Sequence, residues 1–314
     1  MFWSRQPGKQ TTHQSKSGNP EMPLDPDRVR KPARELRKLL RRVPKQPTPE
    51  LVHDLRTNTR RLEAVLSALA LDSGRNDRKL LKVLSQVRKR AGKVRDMDVL
   101  TAFAAGVRPQ GEEECSLQLL EQLGAKRRSA SKKLHDVVAK NGQVARSRLK
   151  TTLAELDEKV PKEVDNASGS NDARSQATAT ALRLESELAS VKSLTRNNLH
   201  PYRLTVKNLQ NILRMAENSG SKDFLDLLGR VKDAIGEWHD WEGLLAIAQE
   251  VLNHGRKCEL LRELKRISDE KYVSALSQTE NMRKRFLRIS QRRARRGVKS
   301  PSQPVWSAMS AIAA

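Results

Sequence analysis

His53, Arg56 and Arg60 stand at i, i+3 and i+7 within the segment "VHDLRTNTRRLEAVL" (Val52–Leu66). On a helix those positions fall inside an arc of about 60°. Arg61 flanks them, while Leu51, Leu55, Leu62, Val65, Leu66 and Leu69 fall on one broad opposite face that must be buried. The residue types suit phosphate. Arginine offers a planar fork of donors that grips two phosphate oxygens at once, and it stays charged at any working pH. Histidine adds a donor that gains charge as pH falls below about 6.5, so anion affinity should rise there. A row of such groups over two turns spans roughly 10 Å, which fits several units of a linear polyanion better than one small metabolite. Arg56 and Arg60 also form a like-charge i,i+4 pair, which costs an isolated helix a few tenths of a kcal/mol, about 0.2–0.5. Glu63, the nearest carboxylate in the segment, is poorly placed to relieve it, so an anion is the expected offset.

The arrangement recurs. "LHPYRLTVKNLQNIL" (Leu199–Leu213) aligns without gaps to the first segment, matching His200 to His53, Arg203 to Arg56 and Lys207 to Arg60. Tyr202, Val206, Leu209, Ile212 and Leu213 supply its inward face. About thirty residues after each segment, "AGKVRDMDVL" (Ala91–Leu100) aligns to "IGEWHDWEGL" (Ile235–Leu244), matching Gly92 to Gly236 and Asp96 to Asp240. The offsets are 147 and 144 residues, so both motifs return in order at nearly the same separation. That pattern marks a tandem duplication of a four-helix unit. A further basic stripe, Arg30, Arg34, Arg37 and Arg41, runs beside the apolar stripe Val29, Ala33, Leu36, Leu40 and Val43, and is a second candidate anion contact. Asp96, Asp98 and Asp240 read as caps or ion-pair partners that orient arginines, and Phe224, Trp238 and Trp241 as core.

Elements able to position these residues follow from periodicity and breakers. Residues 1–26 read as a flexible tail. The first repeat covers 27–158, with helices over about 27–43, 50–71, 77–105 and 113–157. The Pro44, Pro47 and Pro49 run ends the first of them. Gly92 and "KNGQ" are possible breaks in the third and fourth. Residues 159–172, low in apolar side chains, read as a linker. The second repeat covers 173–293, with helices over about 173–196, 202–218, 222–253 and 258–293. The remainder, 294–314, reads as a second flexible tail.

Composition sets the outer limits. Hydrophobic residues make up 37% of the 314, enough for a core and against disorder throughout. Aromatics at 3% and only 15 glycines argue against β-sandwiches and barrels. Sixty-one Lys and Arg against 37 Asp and Glu give a net charge of +24, which calls for an anionic partner: nucleic acid, a membrane surface or a phosphate polymer. Cys115 and Cys258 lie far apart in sequence and read as two reduced thiols rather than a disulfide or metal site. The N-terminal stretch lacks the apolar run of a signal peptide, and no run of about 18 apolar residues occurs, so a soluble cytoplasmic protein is expected.

Here the four ordered segments carry a resemblance. "VHDLRTNTRRLEAVL" with "VRKRAGKVRDMDVL", and "LHPYRLTVKNLQNIL" with "RVKDAIGEWHDWEGL", resemble the signature of the CHAD family, the conserved histidine α-helical domain, over roughly Asp27 to Arg293. The resemblance implies an all-α fold of two tandem four-helix bundles related by a pseudo-two-fold axis, around a central basic cavity. It implies binding of inorganic polyphosphate and association with polyphosphate granules; no catalysis, metal or cofactor is expected. The implied contacts are His53, Arg56, Arg60, Arg61, His200, Arg203 and Lys207. The chain departs from the family at Asn208, where a second basic residue is common, and at Pro201, which disfavours helical geometry at His200. The first copy is therefore expected to be the stronger site. The E-x-E-x-K signature of the β-barrels often fused to such domains is missing from "LESELASVK" (Leu184–Lys192).

Two other classes compete. His53-Asp54, His135-Asp136 and His239-Asp240 are dipeptides of a kind that ligates metal in one family of helical phosphohydrolases, although only six histidines exist, with His13 and His254 in loop or tail settings. Nonspecific nucleic-acid binding is permitted by the charge and by "RKRFLRISQRRARR" (Arg283–Arg296), but stacking aromatics are nearly absent.

Overall fold

The computed structural model describes residues 22–161, 167–216, 222–252 and 258–295. His13, His254 and the stretch 296–314 lie outside them. Eight α-helices and no strand occur among the described residues: α1 Pro26–Leu39, α2 Pro49–Ala68, α3 Arg75–Gly106, α4 Glu113–Lys159, α5 Ala167–Ser190, α6 Arg196–Leu213, α7 Lys222–Val251 and α8 Glu259–Arg295. The all-helical reading holds.

Local chemistry fixes the starts of the helices that matter for the groove. Asp25 caps α1, its carboxylate accepting from the Asp27 and Arg28 backbone N–H groups at 2.9 and 3.1 Å, with Pro26 at the first helical position. Thr48 caps α2 by accepting from Leu51 N–H at 3.3 Å, again with a proline next. Thr195, at the matching place 147 residues later, precedes α6, where the Asn198 side chain accepts the Thr195 N–H at 2.8 Å. The duplication thus reaches down to the caps.

Pro201 does not break the second copy. It sits inside α6, which begins at Arg196 and carries His200 in helical geometry, not at Tyr202 as the proline led one to expect. A proline there deletes one backbone hydrogen bond, to the Asn197 carbonyl, and burial of Leu199, Tyr202 and Val206 holds the segment helical regardless. Gly92 and the "KNGQ" stretch likewise interrupt nothing: α3 and α4 run through them. Gly142 serves contact instead, since a Cβ there would sit 3.1 Å from the Leu40 carbonyl oxygen of α1. The expected linker 159–172 is shortened by α5, which starts at Ala167.

Within each half the helices pack as neighbours, α1 on α2 and α4, α3 on α2 and α4, and correspondingly α6 on α5 and α7, with α8 on α7. Among the described residues, three buried clusters form the core. One, including Leu36, Leu55, Leu84 and Leu134, belongs to the first half. The other two join the halves. Val65 of α2 and Leu69 just after it share a cluster with Tyr202, Leu209, Phe224 and Trp238, and Leu100 and Leu119 share another with Trp241 and Leu264. Across the molecule α2 therefore faces α6 and α3 faces α7, each against its own counterpart. Even the end of the expected N-terminal tail is recruited. Met22 and Leu24 are buried in the second cluster, Met22 N–H donates to Thr178 Oγ1 at 2.9 Å, and Leu24 forms an isolated antiparallel bridge with Ala216. Two apolar side chains, with the intervening one outside, explain why these residues leave solvent.

Candidate functional site

The facing of α2 against α6 and α3 against α7 creates a cleft of about 820 Å³ between the halves. All seven repeat-motif residues line it: His53, Arg56, Arg60 and Arg61 from α2, and His200, Arg203 and Lys207 from α6. Sequence reasoning gave two stripes on two bundles; the fold brings them to one site. Arg95 of α3, Arg214 at the end of α6, and Lys232 and His239 of α7 join them, residues the motif comparison did not select. Eight Arg and Lys side chains line the cleft against four carboxylates, those of Asp96, Asp233, Glu237 and Asp240. The one sequence signal for His239 was its His-Asp dipeptide, which had pointed to metal chemistry.

The repeated glycines have a geometric meaning. Arg203 lies across α7 at Gly236, its Nε donating to the Lys232 carbonyl at 2.9 Å. A Cβ at Gly236 would come within 2.6 Å of Arg203 Nη2, so no larger residue fits without moving the guanidinium. At the matching place in the first half, a Cβ at Gly92 would meet Arg56 Nε at 3.8 Å, ordinary contact. The motif residues thus form paired units, an arginine of α2 or α6 laid over a glycine of α3 or α7. The second unit is the tighter one.

Few of these cations have a close carboxylate. Arg56 Nη2 lies 3.9 Å from Asp96, a loose pair. Glu63, read from the sequence as poorly placed to relieve the α2 arginines, is taken by Arg88 at 2.9 Å. Arg60 Nε is buried with no hydrogen-bond partner among the described residues, and so is His200 Nδ1. Such groups are costly to leave unmade. Electrostatics register the crowding. Burial, then Arg56 and Arg88, brings the Arg60 guanidinium down to about 10. Lys207 is lowered to about 6 by burial, then by Arg60, Arg56, Arg203 and Lys232. Burial first, then His239 and the nearby arginines, holds His200 below its ordinary value; the rings of His200 and His239 are 4.3 Å apart. The site disfavours further positive charge.

The α1 stripe lies elsewhere and is not uniform. Arg30 is 2% exposed, donates to the Val160 carbonyl at 2.6 Å and pairs with Asp157. It is a buried tie between α1 and the end of α4, a correction to its place among the anion contacts. The wheel put it beside Arg34, but the neighbouring helix covers that edge of α1. Arg34, Arg37 and Arg41, with Lys38 and Lys150, line a separate depression of about 480 Å³ between α1 and α4, and Arg34 is also paired with Asp27 at 3.3 Å. Asp98 does orient an arginine, Arg127 of α4, at 2.5 Å.

The His-Asp dipeptides do not converge. His135 bonds through Nδ1 to the Val43 carbonyl at 2.7 Å, between α4 and the end of the α1 segment, whereas His53 and His239 line the cleft. Among the described residues, the one group of His, Cys, Asp and Glu gathered closely enough to hold a metal is Glu112, Cys115 and Cys258, outside the cleft. No helix among them is long and apolar enough to cross a membrane.

An all-helical scaffold whose duplicated halves converge on one cationic cleft defines the class: a duplicated helical domain with a polycationic central site. The CHAD domain pattern matches residues 28–249, and the chain belongs to the CHAD domain family. Among solved structures it is similar to PptA from Streptomyces chartreusis, with TM-score 0.59 and 18% identity over 82% of this chain and 96% of that one. It is also similar to the CHAD domain from the plant Ricinus communis, with TM-score 0.48 and 16% identity over 95% and 94% of the two chains. No curated protein matches it.

Proposed function

We propose that this protein binds inorganic polyphosphate in the cleft between α2, α3, α6 and α7, as a binding protein and not an enzyme. The observation that carries the reading is the convergence of both His/Arg stripes on one cleft whose cations outnumber carboxylates two to one. A linear phosphate chain offers regularly spaced oxygens to bidentate arginines from two sides at once, and its negative charge offsets the mutual repulsion that lowers Arg60 and Lys207. Membership of the CHAD family supports the choice of polymer. Residence at polyphosphate granules belongs to the same reading, and imaging of a tagged chain in cells rich in granules tests it; a diffuse signal counts against it.

Competition tests the ligand itself. Polyphosphate should displace labelled duplex DNA at far lower phosphate concentration than DNA displaces polyphosphate. Equal exchange would reduce the reading to a general polyanion binder. Affinity should fall linearly with salt on log–log axes, as counterion release requires. Arg56→Ala with Arg60→Ala should weaken binding strongly, by an order of magnitude or more, while helix content by circular dichroism is unchanged. Neutralising the basic residues at 292–296 should weaken it much less. A larger loss from the 292–296 variant would place the site elsewhere.

A further inference from the structure

Cys115 and Cys258, 143 positions apart in sequence, meet in the fold. Cys115 lies in the first turn of α4, Cys258 directly before the first residue of α8, and both are buried and outside any disulfide. Glu112, at the start of α4, completes the group: one ligand atom from each of the three lies within 4.8 Å of the others. Glu112 is already oriented. Its Oε1 accepts the Glu259 backbone N–H at 2.8 Å, at the start of α8, which leaves Oε2 facing Cys258 Sγ at 3.7 Å.

From this juxtaposition we propose that Glu112, Cys115 and Cys258 form a zinc-binding site that clasps the α3–α4 pair of the first half to the α7–α8 pair of the second, with water as the fourth ligand. The spacing fits. Zinc–sulfur bonds of about 2.3 Å and zinc–oxygen bonds of 2.0–2.2 Å, set at the tetrahedral angle, put sulfur and oxygen about 3.6 Å apart. The Glu112–Cys258 separation is 3.7 Å. Two thiolates and a carboxylate are also the donor set that zinc prefers over calcium or magnesium, which take oxygen ligands.

The surroundings favour a cation here although the whole chain is basic. Glu113 and Glu114 stand in the same first turn of α4, and Glu259 opens α8. Zinc binding to thiols releases protons and so weakens as pH falls. The site sits on the apolar cluster of Leu119, Leu123, Leu260 and Leu264, so the ion would brace a buried seam between the halves. Gln118 and Lys126 of α4 already reach Val251 and Glu250 of α7 along that seam.

Cobalt substitution of the full chain, purified under reductant, tests this. One equivalent of Co²⁺ should produce a thiolate-to-cobalt charge-transfer band in the near ultraviolet with the visible bands of tetrahedral cobalt, and one equivalent of Zn²⁺ should bleach both. Cys115→Ser and Cys258→Ser should each cost more than the roughly 10–100-fold in affinity that loss of an outer contact costs a zinc site. Glu112→Gln should weaken zinc while keeping the charge-transfer band. Polyphosphate affinity should not change in any of the three, so the cleft reading stands or falls separately. A wild-type chain without the thiolate band overturns the proposal whether or not the serine variants fold. So does a band that survives in Cys258→Ser. Histidine-bound metal in the cleft would lack that band.

Discussion

Replacing Lys207 with arginine changes no formal charge at neutral pH in an ordinary setting, yet here it should alter how binding responds to protons. Lys207 projects from α6 into the cleft, where burial and then Arg60, Arg56, Arg203 and Lys232 lower it to about 6. At pH 7.5 only about 3% of such an amine carries its proton. A polyanion in the cleft reverses the balance, so binding at that pH should take up close to one proton at Lys207. Titration calorimetry at pH 7.5 in buffers of different ionisation enthalpy reads this directly: the wild type should absorb nearly one proton more than Lys207→Arg. Wild-type log affinity should also fall with a slope approaching −1 per pH unit above pH 6 from this group, a component absent from the arginine variant. His200, lowered by burial and His239, adds its own uptake nearer the acid end. Ligand-free stability carries the opposite sign. Between pH 6 and the ordinary lysine value of 10.5 the unfolded chain binds a proton that the native state does not. The lowered value is a cost to the fold that is full below pH 6 and shrinks as pH rises through this window, so stability rises by up to about 1.4 kcal/mol per unit. Equal proton uptake by wild type and Lys207→Arg, or affinity that is level from pH 7 to 9, would show that Lys207 is already charged and that the crowding argument fails.

Other substitutions separate the cleft from its supports. Gly236→Ala, whose Cβ would meet Arg203 Nη2 at 2.6 Å, should cost about tenfold in polyphosphate affinity by filter binding, whereas Gly92→Ala, with 3.8 Å to spare, should stay within about twofold. Arg30→Ala removes a buried tie to Val160 and Asp157 and leaves that carbonyl unpaired. It should lower stability by about 3 kcal/mol in denaturant titrations without changing affinity per folded molecule. Arg37→Glu with Arg41→Glu, in the separate α1–α4 depression, should reduce affinity far less than the Arg56→Ala, Arg60→Ala pair. A larger loss there would move the binding site to α1.

Much of the molecule was legible in one dimension because a helix announces itself through its own period. Leu55, Leu62 and Leu66 on one face and His53, Arg56 and Arg60 on the other fix what α2 buries and what it offers, and the repeat at Leu199–Leu213 says the same of α6. The all-helical class, the duplication and the phosphate-seeking chemistry all follow from such local spacing. A helical wheel gives angles about one axis, however, and is silent on which neighbour covers each sector. Arg30 and Arg34 look alike on the wheel, and only the end of α4 decides that one is buried and the other is not. Whether two basic stripes face apart or share one cleft is likewise a matter of packing between α2 and α6. Lys207 is lowered because the packed halves bury it and bring Arg60 and Arg56 beside it, and Cys115 meets Cys258 only because α4 and α8 begin side by side. Charge and donor type are properties of residues; desolvation, mutual repulsion and ligand geometry arise between residues distant in sequence, and the tertiary structure alone sets them.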